Sequence, residues 1–145
     1  MTDKNTTTVV SEELRAAYLA THFDVLEPFP LTLNIGEKNR KIGKLFETAN
    51  TNCAAFLTAW NPLSEPTSQA ENEKFQSLLE ARLRSIPSKV YIGIGRDPTG
   101  RWPGEPSLLA LGVNRELAIC MGNEFRQNAI VWIGDNLIPE LIMLR

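Results

Sequence analysis

A glutamate clamped between Gly104 and Pro106, just ahead of an apolar run, is the residue of this chain with the clearest capacity for proton transfer. A carboxylate on so stiff a backbone, near Trp60 and Trp102, can have its proton affinity raised toward the range that general acid–base chemistry uses. Glu105 fits equally a turn anchor or a solvent-facing loop acid. Asn61 and Gln127 stand at the edges of other apolar runs. Their amides carry donors and an acceptor together, which suits reading an amide, a base edge or a sugar, and also suits tying their own loops. Trp60 and Trp102 could stack on a planar ligand or act as packing lids. Ser107 adds a hydroxyl two residues past Glu105, whereas Asp97, ahead of Pro98, reads as an Asx-type turn former.

Other chemistries lack their residues. His22 is the only histidine and there is no Cys-x-x-Cys pair, so zinc has no adequate ligand set and no metal is assigned; an all-oxygen magnesium site stays open. A serine triad would have to use His22, and no Gly-x-Ser-x-Gly elbow supports one. Gly93-Ile94-Gly95-Arg96-Asp97-Pro98 begins like a dinucleotide fingerprint and fails where Asp97 and Pro98 replace the last glycine and the helix start. The cofactor is left unassigned, and so is whether the chain is an enzyme.

These residues must be placed by the elements between them. Ser11 can cap a first helix, with Leu14, Ala17, Tyr18 and Thr21 on one face, ending before Pro28. Phe29 to Ile35 alternates as a strand, and Ile42, Leu45, Phe46 and Ala49 mark a short helix. Cys53 to Ala59 is apolar at nearly every position, as expected of a central strand buried on both faces, and Asn61-Pro62 ends it. Ser68 and Glu71 have capping-box spacing before a stripe of Phe75, Leu78, Leu79, Leu83 and Ile86. Val90, Ile92 and Ile94 form a strand joined through the 95–107 loop to another at Ser107 to Leu111. Asn114 can cap a helix with Leu117, Ala118 and Met121 inward, and 129–133 and 141–144 supply the last strands. The pattern predicts one α+β domain over 10–145 behind a flexible 1–9 tail, with a mixed sheet of five to six strands and about four helices, mainly on one face.

Composition sets the outer limits. With 145 residues, 43% hydrophobic and 22% charged, the chain has enough apolar surface for a core without staples. A net charge of −2 provides no field for nucleic acid or an anionic membrane, and no apolar run reaches the roughly 18 residues of a membrane span. The cluster Lys38, Arg40, Lys41 and Lys44 reads as a solvated helix face. Cys53 and Cys120 lie in apolar patterns and no export signal precedes them, so both are expected to be reduced, in the cytoplasm.

Five segments taken together, Tyr18-Leu19-Ala20-Thr21-His22-Phe23, Phe56 to Pro62, Glu71-Asn72-Glu73, Trp102 to Ser107 and Phe125 to Ala129, resemble the bacterial family known as domain of unknown function 3293. The resemblance spans about residues 16–133. It carries no activity, and it implies that Asn61, Asn72, Glu105 and Gln127 occupy motif positions and cluster. At His22-Phe23 the chain departs from the family pattern, which weakens any catalytic role for His22. The functional expectation is a cleft formed by Asn61, Glu105 and Gln127 that binds or transforms a polar small molecule, nucleotide-like ligands included. In it Glu105 is the catalytic candidate, and Trp60, Asn61, Asn72, Trp102, Ser107 and Gln127 are the ligand-binding candidates. The alternative is a protein-interaction module using an exposed Trp60 and Trp102 surface.

Overall fold

A computed structural model describes residues 11–145; the expected 1–9 tail lies outside the described residues. The first helix, α1 (Glu12–Ala20), starts where Ser11 accepts a hydrogen bond from the Leu14 amide, as its capping position requires. It stops well short of Pro28. The Thr21 hydroxyl bonds the Ala17 carbonyl while its backbone extends, and β1 (His22–Val25) follows with Phe23 and Val25 buried at the strand period. Four residues were too few for that alternation to stand out against the helical pattern before it.

The remaining elements are β2 (Leu31–Leu33), α2 (Arg40–Ala49), β3 (Ala54–Leu57), α3 (Gln69–Arg84), β4 (Lys89–Arg96), β5 (Glu105–Leu111), α4 (Arg115–Glu124), β6 (Ala129–Ile133) and β7 (Glu140–Met143). The class is α+β in a single domain; among the described residues there are four α-helices, a short 3-10 turn at Pro62–Ser64 and a curled sheet of seven strands ordered β2-β1-β4-β5-β3-β6-β7. The sheet differs from the mixed one expected, because every pair is antiparallel. Helices between strands suggested parallel crossovers; here α2 and α3 return the chain to strands that run antiparallel to their neighbours.

Strand β3 lies between β5 and β6 and is buried at all four positions, in keeping with its unbroken apolar sequence. Alternation sends Ala54 and Phe56 to one face and Ala55 and Leu57 to the other. The first face packs on Ile42, Leu45 and Phe46 of α2, and the second on Leu79 and Leu83 of α3 and Ala118 and Met121 of α4. Helices therefore cover both faces rather than mainly one. The sequence period fixes which residues of a helix point inward but not which sheet face receives them.

Two positions turn out differently from their patterns. Leu78, assigned to the α3 stripe, is 51% exposed, whereas Leu79 and Leu83 carry the packing. Cys120 sits on the exposed side of α4, while Cys53 is buried, and neither is paired. Burial also pushes the Cys53 thiol up, partly offset by a hydrogen bond with Thr51. A thiol reagent is therefore expected to modify one cysteine rapidly in the native protein and the second only on unfolding. Two fast thiols would show that Cys53 is reached without unfolding, and recovery of none would indicate a bond between the two.

Candidate functional site

Beyond β3 the chain enters a turn that is strained at several residues. Asn61, Leu63 and Ser64 all have left-handed backbone (φ 46°, 59° and 61°), and Arg126, whose carbonyl accepts from the Leu63 amide at 2.7 Å, has φ 57°. Non-glycine residues in this region each cost on the order of 1–3 kcal/mol, and persist where surrounding contacts determine them. Those contacts are specific. The Asn61 amide N–H donates to Asn72 Oδ1 at 2.8 Å, while Asn61 Oδ1 accepts from Asn72 Nδ2 at 2.8 Å and the Thr67 amide at 3.1 Å. Asn72 is buried in the first turns of α3, and this reciprocal pairing explains a polar residue on that helix's inner face.

With its oxygen saturated, Asn61 points its remaining Nδ2 donor at Glu105 Oε2, 3.4 Å away. Glu105 starts β5, where the register sets it opposite Gly95, and its carbonyl accepts from the Ser107 hydroxyl at 3.0 Å. Burial raises the Glu105 carboxyl above its ordinary value, and the Asn61 bond opposes that only in part. Gln127, 7% exposed, donates from Nε2 to the Trp60 carbonyl at 3.3 Å and the Phe125 carbonyl at 3.2 Å. Asn61 and Glu105 thus meet directly, and Gln127 reaches the backbone beside Asn61 without a hydrogen bond to either.

Three further residues join this cluster that the residue-type reading left out. Tyr18 Oη lies 3.0 Å from Ser64 Oγ, and Asn128 Nδ2 donates to the same Oγ at 2.9 Å. Burial raises the Tyr18 phenol; its Ser64 and Asn128 bonds act the other way, and the nearby Glu105 charge adds to the rise. Tyr18 and Asn128 fall within the first and last of the five motif segments, so their positions carried a signal. Nothing in the sequence marks Ser64.

Asp97 has the role its place before proline suggests. Its carboxylate accepts from the Thr99 amide and hydroxyl at 2.9 and 2.7 Å and from the Arg101 amide at 2.9 Å. These bonds, led by the Thr99 hydroxyl, hold its pKa at about 2. Asp97 shapes the loop that leads to Trp102. Trp60 and Trp102 are both half-buried; the most exposed large apolar side chains among the described residues are Leu78, Ile92, Leu26, Leu19 and Phe29.

Of two prominent surface depressions, one reaches the strained turn at Pro62 and Arg126. One of about 700 Å³ is lined by Arg15, Cys53, Trp132 and Asn136 among others, and one of about 540 Å³ lies between α3 and α4 over Phe75, Leu78 and Phe125. Neither includes Glu105. Among the described residues, no group of three or more His, Cys, Asp or Glu side chains could hold a metal ion, and no helix is long and apolar enough to cross a membrane.

No curated protein and no solved structure matches the chain. A family model described as "Protein of unknown function (DUF3293)" matches residues 57–130, a segment that runs from the end of β3 into β6 and contains Asn61, Asn72, Glu105, Gln127 and Asn128. The chain belongs to this family.

Proposed function

We propose that the Asn61–Glu105 pair is the centre of a small-molecule site in which Glu105 binds a polar ligand and can exchange a proton with it. The observation that carries this reading is a largely desolvated carboxyl whose one side-chain hydrogen bond, from Asn61 at 3.4 Å, comes from a backbone-strained residue. Strain and raised carboxyl pKa values both concentrate at working sites. Asn72 and Gln127 act as supports, one fixing the Asn61 side chain and the other the Trp60 carbonyl, and Ser107 steadies the Glu105 backbone. Trp60 and Trp102 supply apolar wall. The two unpaired cysteines support a reducing compartment, the cytoplasm.

A thermal-shift screen over polar metabolites tests the proposal. A ligand present at 100 times its dissociation constant adds about 2.7 kcal/mol to stability, a rise of roughly 5–10 °C for a chain of this size. Glu105→Gln is expected to abolish that rise. A ligand that stabilises wild type and variant equally would place binding away from Glu105.

A further inference from the structure

We propose that the depression between α3 and α4 is a docking site for another protein, and that it takes a segment carrying a bulky apolar side chain next to an aspartate or glutamate. Glu105, Asn61 and Gln127 are not on its lining, so this site and the Glu105 site can each fail alone.

Arg126 is the residue that singles out this depression. The chain leaves α4 through a cap in which the Arg126 amide donates to the Asn123 carbonyl at 3.1 Å and the Gln127 amide to the Gly122 carbonyl at 2.9 Å. A cap of this kind holds its first residue past the helix end in left-handed backbone, which glycine adopts freely and an arginine does not. The side chain stands here against the preference of its own backbone. Capping the helix does not require it, because the carbonyls of Met121, Gly122 and Asn123 already accept from backbone amides. Arg126 is exposed and, among the described residues, has no ion-pair partner. Arg82, by contrast, lies 3.4 Å from Glu124, which neutralises the acid on the lining and leaves Arg126 as its unbalanced charge. A residue kept in strained backbone with its charge unanswered points to a partner that answers it.

The remaining surface supplies the anchor. Phe75 and Leu78 from α3 and Phe125 from the end of α4 surround a volume of about 540 Å³, and Leu78 is 51% exposed. A pocket built for a small molecule encloses most of it, whereas this depression leaves a leucine in water beside its aromatic lining, as a protein-binding surface does. An apolar side chain of the partner fills the depression, and the guanidinium then selects what stands next to it. A carboxylate matches its planar donors, while a lysine or arginine would face a like charge with no free acid to offset it.

Selection of a random-peptide display library on the full chain tests this, followed by affinity measurements of the enriched peptides on two variants. Enriched sequences are expected to set Asp or Glu beside Leu, Ile, Met or Phe. Their binding should be about tenfold weaker in Arg126→Gly and in Leu78→Gln, and the arginine effect should shrink as salt is added. Glycine suits the left-handed cap and glutamine is a good helix former at an exposed site, so both variants should fold, with the thermal midpoint unchanged or raised in Arg126→Gly. A midpoint lowered by Arg126→Gly would show that the arginine serves the fold, and would overturn its role in selecting a partner. Enriched peptides that lack acids, binding indifferent to both variants, or no enrichment at all would each overturn the proposal. Decanoate is the small-molecule probe. Its saturable binding, abolished in both variants while no peptide is enriched, would replace the protein partner with a small amphiphile, and a dimer of the chain alone that both variants dissociate would replace it with a second copy.

Discussion

Truncating Phe56 to alanine is expected to destabilise the protein by about 3–5 kcal/mol, enough to remove much of the stability of a domain whose total is typically 5–15 kcal/mol. Phe56 is 4% exposed on the central strand, and its ring meets that of Phe23 edge to face, with centroids 5.3 Å apart and planes at 71°. The ring also covers Gly93 so closely that a Cβ built there would lie 2.8 Å from Phe56 Cε2 and 2.7 Å from the Asp24 carbonyl oxygen. Phe56 thus ties β3 to β1 and β4 across the intervening β5, over a glycine that leaves room for it. Urea unfolding monitored by far-UV circular dichroism gives the measurement, and a loss below about 1 kcal/mol would mean the ring is not a keystone of this face. Gly93→Ala should destabilise on its own by overpacking, and its cost should shrink in the Phe56→Ala background, where the ring is gone. It should not vanish, because the Asp24 carbonyl remains.

That packing was only half legible. The unbroken apolar run from Cys53 to Ala59 announced a doubly buried strand, and Ser11, Ser68 and Asn114 announced helix caps that the hydrogen bonds realise. Each of these is a local signal, a period or a cap, that the chain carries within a few residues. Sheet order, strand direction and the choice of face are non-local, and they arise from how Phe23, Phe56 and Gly93 fit together across three strands. For the same reason Leu78 and Cys120 look like inward residues in a one-dimensional pattern and lie outward on real helices, whose buried stripes are narrower than the pattern implied.

In the site, the amides and acid could be picked out by type, but their arrangement could not. Asn61 precedes a proline, a context that favours extended backbone, yet it is left-handed. What overrides the preference is the reciprocal pair of hydrogen bonds with Asn72, eleven residues away, which neither residue reveals alone. Ser64 is a still plainer case. Its hydroxyl matters only because Tyr18, 46 residues earlier, and Asn128, 64 residues later, converge on it.

The second large effect expected is in Glu105→Gln, which should lose the ligand response and also change how stability varies with pH. Burial raises the folded-state carboxyl above the ordinary value of 4.5, with the Asn61 bond opposing it. Below that value the acid is protonated whether the chain is folded or not, so it makes no difference to the comparison with glutamine. As pH rises, the unfolded chain gives up this proton first, and the folded protein must then either retain it or ionise in a desolvated place. Stability present in acid is therefore lost as pH climbs from about 4.5 through the raised folded pKa, and no further loss from this group follows above it. Glutamine keeps the shape and an oxygen to accept from Asn61 Nδ2, but has no proton to lose. Subtracting the wild-type from the variant denaturation free energy at each pH cancels the other titrating groups. The difference should be near zero at pH 4 and should favour the variant at pH 8, as expected where a residue was kept for its chemistry rather than for stability. If the carboxylate were instead an anchor that the turn requires in its charged form, the difference would run the other way and the variant would be the weaker protein at pH 8. That result would end the case for Glu105 as a proton-exchanging group, and the strained turn would then have to be explained by Asn61 and Ser64 alone.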